Sequence, residues 1–233
     1  MVPIRYVMVL NIKYLMNCPI CDGSSFGPGP GGRMSIKGKP PRCEKCQSLE
    51  RHRIMRQFHL QLNELIDYSN LTALQISKDF SLIPAWFKSY KLSIYGIQNS
   101  IDIQNIETSE IYDIVVCNHV LEHVKKWKIA ILQLQQITSK NGFLQISFPD
   151  PYNRPKTSDW GFPKKEDHGH YRIFGKDVIP IISEEFLLPG SFMHQLEAED
   201  PATGTQDLFF ILTKSRKISD LLSSAFPSSL IGS

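Results

Sequence analysis

The chain has no long apolar run. Its first sixteen residues are largely apolar, but Arg5, Asn11 and Lys13 interrupt them. The unbroken run Tyr6–Leu10 falls far short of the roughly 20 residues that a membrane-spanning helix needs. No small-residue cleavage site follows it, so neither a membrane span nor a secretory leader is expected. There is no internal repeat. A charge excess of one sign is also missing: the net charge of +3 says little about partners. Cysteine is scarce, with five in 233 residues, and nothing marks an oxidising compartment, which argues against a disulfide framework. These absences lead us to expect a cytoplasmic protein.

What is present fits a globular chain with a sizeable core, since 42% of residues are hydrophobic and 21% charged. The length allows one ordinary domain plus a small module. Four cysteines form Cys18-Pro-Ile-Cys21 and Cys43-Glu-Lys-Cys46. Two such pairs can set four thiolates tetrahedrally around zinc. The Gly- and Pro-rich segment between them can bury almost no core, so a structural metal ion would have to hold it together. Four thiolates leave no open coordination position, so this zinc is not expected to be catalytic. Charge is concentrated nearby. From Arg33 to Arg56 eight basic residues face only Glu44 and Glu50, a local excess of +6. Such a patch could dock nucleic acid, or it could be the solvated face of a small module. No aromatic stacking platform accompanies it, so nucleic acid is not the favoured partner.

Further along, Ile54, Phe58, Leu62 and Leu65 form the apolar stripe of a helix. Leu71–Ile76 and Lys91–Tyr95 read as strands, with a short helix over Pro84–Ser89. The stretch Tyr112–Val124 begins with the unbroken apolar run Ile114–Cys117, which suits a strand covered on both faces. It turns polar at Asn118 and His119, where ligands of open α/β sheets are found, and Ile129, Leu132 and Ile137 predict a crossover helix after it. His119-Val-Leu-Glu-His123 also fits H-x-x-E-H, a zinc-peptidase pattern, but that needs both histidines inside a helix. Capping and packing of a helix start is a further reading of Glu122 and His123. Pro149–Gly175 reads as a long irregular loop holding Asp167, His168, His170 and Arg172; a loop of this length is usually functional. It could bind an acceptor, act as a lid, or hold a metal through its histidines. Lys176–Phe186 suggests a helix weakened by Pro180. Two strands follow, at Ser191–Glu197 and Asp207–Thr213, and the Ser-rich tail should fray.

Asp113–Val124 resembles the fourth-strand segment of class I S-adenosylmethionine-dependent methyltransferases, in the type 11-like subgroup whose strand ends in Leu-Glu-His. Ser139–Pro149 is similar to that family's next strand, entered through a turn at Asn141-Gly142. Leu49-Glu-Arg-His-Arg53 resembles the joint between ribbon and catalytic domain in relatives carrying an N-terminal ribbon, and His168–Arg172 is similar to their His-x-His-Tyr-Arg. The resemblance implies an α/β fold with a Rossmann-like seven-stranded sheet, divided into a segment with zinc ribbon (1–50), a methyltransferase domain (51–215) and a tail (216–233). It implies S-adenosylmethionine as cofactor and a methyl acceptor, small molecule or glycan, as partner. The cofactor would meet Gln75 and Ser77 after the first strand, Gln98 at the ribose, Asp102 at the adenine, and Asn118 and His119 near the sulfonium. His123 or His170 would be the general base. Two departures matter: Ser77-Lys78-Asp79 has no glycine where the family has a Gly-rich turn, and Gln98 replaces a carboxylate. They leave room for a non-catalytic binding module, while the basic ribbon leaves room for an RNA methyltransferase.

Overall fold

The computed structural model describes residues 17–98, 100–149, 151–227 and 229–232; the apolar run Tyr6–Leu10 lies outside them. The chain divides into two compact units. Among the described residues, one holds 17–70 together with Asp79–Trp86 and Glu197–Asp207, and the other holds the rest.

In the first unit β1 (Phe26–Gly27) pairs antiparallel with β2 (Arg42–Cys43), and α1 (Glu50–Leu65) follows. Ile54, Phe58 and Leu62 of the expected stripe are fully buried, whereas Leu65, the last helical residue, is exposed. Within Leu49–Arg53, partners hold Leu49, Glu50 and Arg53. The Leu49 N–H donates to His52 Nδ1 at 3.1 Å, which satisfies one of the orphan groups of the helix start. Glu50 accepts two hydrogen bonds from the Arg33 guanidinium (3.1 and 2.7 Å). Arg53 is fully buried and meets Asp200, also fully buried, through a two-pronged pair at 2.7 and 2.8 Å. Its third nitrogen donates to the Ser48 carbonyl at 3.0 Å.

The second unit is built on a seven-stranded sheet. Its strands are β3 (Thr72–Ile76), β4 (Ser89–Ser93), β5 (Tyr112–Asn118), β6 (Thr138–Ser147), β9 (Phe192–Glu199), β10 (Gln206–Thr213) and β11 (Leu230–Gly232), in the spatial order β11-β9-β10-β6-β5-β3-β4. The run Ile114–Cys117 is completely buried in β5, as a strand covered on both faces requires. Strands β4, β3, β5 and β6 are mutually parallel, and β10 closes antiparallel onto β6. The crossover between β5 and β6 is α2 (Trp127–Gln136). It buries Trp127, Ala130, Ile131 and Leu134, whereas Ile129 of the expected stripe is exposed. Positions 127, 130, 131 and 134 give the wider i, i+3, i+4, i+7 face.

Several elements differ from expectation. β4 starts two residues early, because parallel pairing sets Ser89 beside Thr72 and Ser93 beside Ile76. The helix expected over Pro84–Ser89 is a single 3₁₀ turn, Pro84–Trp86. Asn141-Gly142 is no entry turn. It lies within β6, where the register with β5 jumps from Tyr112↔Thr138 to Ile114↔Phe143. A Cβ on Gly142 would sit 1.9 Å from the Asp113 carbonyl oxygen, so only glycine permits this approach. The loop expected over Pro149–Gly175 contains an antiparallel ribbon of β7 (Ser158–Lys164) and β8 (His170–Ile173). Pro180 lies in the first turn of α3 (Val178–Ile181), where its missing N–H costs nothing, and the chain continues as a π-helix, Ile182–Phe186. The tail does not fray. Residues Arg216–Ala225 form α4, capped by Ser215 Oγ and buried through Ile218 and Leu222, and β11 pairs with β9.

Candidate functional site

Four parallel strands end at one edge of the sheet of the second unit, and most of the residues singled out in the sequence are found there. β3 leaves it through Ser77, which is exposed and left-handed (φ 65°). The glycine-free turn therefore adopts the backbone that glycine would supply more cheaply. Its shape is held from within the sheet. The Ser77 N–H donates to the Ser93 carbonyl at 2.8 Å, and Gln75 Nε2 donates to the Ser77 carbonyl at 3.2 Å. The buried Gln75 side chain also accepts from the Tyr90 hydroxyl at 2.9 Å. Gln75 thus braces the turn from within the sheet.

After β4, Gln98 and Asp102 are exposed. Asp102 Oδ1 accepts the Gln104 N–H at 2.9 Å, the hydrogen bond of an aspartate stabilising its own loop. Asn118 closes β5. Its Oδ1 accepts from Gln145 Nε2 and Ser147 Oγ, both at 3.1 Å. His119 is left-handed (φ 51°), and its N–H donates to the Ser147 carbonyl at 2.9 Å. The chain then makes a 3₁₀ turn, Leu121–His123. That geometry removes the peptidase reading, because His119 and His123 do not share a helix.

The turn and the β7–β8 ribbon bring His123 and His170 together, with ring centroids 4.4 Å apart and nearly perpendicular. Burial, reinforced by the neighbouring His123, lowers the pKa of His170 and keeps its imidazole neutral. Glu122 lies beside them and is 1% exposed. One of its oxygens stands 3.6 Å from His119 Nδ1, and Oε2 has no hydrogen-bond partner among the described residues. His168 stands farther off, 6.2 Å from His170, and Asp167 is drawn to Lys164 at 2.7 Å. Arg172 holds the arrangement. Only 1% exposed, it donates to the carbonyls of Leu121 (2.9 Å), Val124 (2.6 Å) and Lys125 (3.0 Å) and to Asp159 (2.7 Å). It stitches β8 to the turn after β5. Sequence reasoning placed Arg172 in the motif without a role; an arginine two residues from a candidate histidine was the available signal.

In the first unit the thiol sulfurs of Cys18, Cys21, Cys43 and Cys46 all lie within 4.8 Å of one another, and none is in a disulfide. The two pairs repeat one backbone device. The residue after each second cysteine, Asp22 or Gln47, is left-handed (φ 60° and 64°), and its N–H donates to the carbonyl of the first cysteine at 2.8 Å. A tetrahedral thiolate-binding ion fits this donor set. Burial raises the Cys21 thiol to about 12. The same effect on Cys46 is outweighed by its hydrogen bonds with Ser48 and with the neighbouring thiols of Cys21 and Cys18, which bring it to about 7. The basic stretch beside the cysteines is less available than its count implies: Arg53 and Arg56 are buried, and Arg33 is paired with Glu50.

No protein of curated function matches the chain. Among solved structures it is similar to the CMeT domain of the citrinin polyketide synthase, at 10% identity and a TM-score of 0.44. That match covers 69% of this chain and 52% of the other, so the chain spans about half that domain's length. It is also similar to the N-methyltransferase NodS from Bradyrhizobium japonicum, in complex with S-adenosyl-L-homocysteine. Identity there is 16% over 69% of this chain and 87% of that chain, with a TM-score of 0.39. A third is the 1,6-didemethyltoxoflavin-N1-methyltransferase of Burkholderia thailandensis (11% identity, 69% and 78% covered, TM-score 0.43). A family model described as a methyltransferase domain matches residues 26–178, well over half of the sequence, and the chain therefore belongs to the methyltransferase-domain family.

Proposed function

We propose that the chain transfers a methyl group from S-adenosylmethionine to an oxygen or nitrogen nucleophile of a small-molecule or glycan acceptor, with a structural zinc ion in its four-cysteine ribbon. Family membership supports the reaction class. The observation that carries the reading is the His123–His170 pair beside the polar ends of the parallel strands. When bound, S-adenosylmethionine supplies an electrophilic methyl group for in-line displacement, so the protein's part is to position the reactants and exclude water. Gln75, Ser77, Gln98, Asp102, Asn118 and His119 are the candidates for holding the cofactor. His170, kept neutral by burial, or His123 takes the proton of the acceptor.

Calorimetric titration of the zinc-loaded protein with S-adenosylmethionine and S-adenosylhomocysteine tests this. Micromolar binding of either, weakened by Asn118→Ala or Asp102→Ala, is the expected result. Absence of binding by both would sink the enzyme reading and leave a binding module on a methyltransferase fold.

A further inference from the structure

We propose that Glu122, His123 and His170 form a second metal site, one that takes a first-row divalent cation such as zinc and leaves coordination positions open. Their ligand atoms all lie within 4.8 Å of one another. Around zinc, ligands at ~2.0–2.2 Å stand about 3.4 Å apart, so closing on an ion asks each side chain to shift by roughly 1 Å or less. Two imidazoles and one carboxylate make a donor set suited to zinc or iron, and three protein ligands leave room for water or an acceptor oxygen.

The strongest pointer is Glu122. Buried polar groups are normally hydrogen-bonded, and a buried carboxylate oxygen without a partner is costly. Glu122 is 1% exposed, and its Oε2 has no partner among the described residues. A cation held against His123 and His170 supplies that partner. The scaffold also suits a ligand set. Glu122 and His123 ride on the turn whose carbonyls Arg172 holds, and His170 is two residues from Arg172 on β8. The backbone segments that carry the ligands are thus held together by Arg172. This set differs from the loop histidines considered in the sequence, because His168 is not a member.

Ion binding itself does not depend on methyl transfer. Its use in methyl transfer does rest on the proposed function and replaces the base named there: with both imidazoles bound to the ion, a coordinated acceptor hydroxyl loses its proton more readily, and solvent water takes that proton in place of His123 or His170.

The test is titration of the full chain, ribbon zinc in place, with Co²⁺, followed by visible absorption and by metal content after desalting. A second equivalent is expected, with the weak d–d bands of a nitrogen and oxygen site and without the intense sulfur charge-transfer bands of a thiolate site. His123→Ala, at an exposed position, and the near-isosteric Glu122→Gln should each abolish it while ribbon zinc stays at one per chain. His168→Ala should retain it. No second equivalent at millimolar Co²⁺, retention in His123→Ala, or loss in His168→Ala would each overturn the proposal. Because no S-adenosylmethionine is involved, a negative result here is distinct from failure of the methyltransferase reading.

Discussion

Replacing Arg172 should be among the most damaging single changes in the second unit, and its cost can be built from its bonds. Three of its four partners are backbone carbonyls, those of Leu121, Val124 and Lys125. Leu121 and Val124 are buried, so water cannot fully replace the lost donors. Each abandoned carbonyl costs about 1–2 kcal/mol. The fourth partner, Asp159, is 40% exposed, so that ion pair behaves much like a surface pair worth less than about 1 kcal/mol. Arg172→Ala should therefore lose about 4 kcal/mol. At the ~2–4 °C per kcal/mol typical of chains this size, the melting temperature falls by about 8–16 °C. Arg172→Lys keeps the charge but not the planar fork, and should lose about half as much. Asp159→Ala should lose less than about 1 kcal/mol. Urea unfolding of the three variants gives the comparison. If Asp159→Ala cost as much as Arg172→Ala, the salt bridge and not the carbonyl clamp would be the working contact, and this reasoning would fail.

Three further outcomes can be checked. Ser77→Gly should raise stability by about 0.5–1 kcal/mol in thermal unfolding: relief of a left-handed non-glycine residue, about 1–2 kcal/mol, outweighs the added freedom of the unfolded chain. Asp200→Asn strands the fully buried Arg53 guanidinium, and a loss of about 3–5 kcal/mol is expected by the same measurement. His194 lies buried between the hydroxyls of Ser219 and Ser229, and burial lowers its pKa to about 4. The unfolded chain then binds the extra proton first as pH falls, so this contribution is complete above the ordinary histidine pKa near 6.5 and drains away between about 6.5 and 4. In a series of urea titrations across that window, His194→Gln should flatten the slope, by at most about 1.4 kcal/mol per pH unit.

Most of the fold was legible because its signals are local. The buried run Ile114–Cys117, the paired cysteines and the strand at Leu71–Ile76 each need only a few neighbouring residues to recognise. What escaped depends on partners far away in sequence. Whether Ile129 or Ala130 faces inward is decided by the sheet that α2 covers, and the apolar spacing alone pointed to the Ile129 stripe. The ribbon β7–β8 was hidden because its strand β7 is mostly exposed and so shows no alternation. The tail read as frayed because of its serines, yet Ser215 caps α4 and Ser219 and Ser229 hold His194. At the site, Asn118 and His119 were visible as polar residues ending an apolar run, whereas His123 and His170 stood out only as parts of the Leu-Glu-His and His-x-His-Tyr-Arg motifs. Glu122 and Arg172 gained their roles only from burial and carbonyl partners, which spacing does not encode.

The pairing of Arg53 with Asp200 spans 147 residues, and this sets a schedule for biogenesis. At ~5–20 residues per second a ribosome needs about 7–30 s to deliver the aspartate after the arginine. During that interval α1 has emerged with a guanidinium that lacks its final partner. The segment made first therefore stays incomplete until most of the chain has followed, and a nascent chain halted before residue 200 would present an unfinished N-terminal unit to chaperones and proteases. By the same logic, cutting the gene near residue 70 would not yield an independent ribbon module, since the aspartate that neutralises its buried arginine would be left on the other fragment.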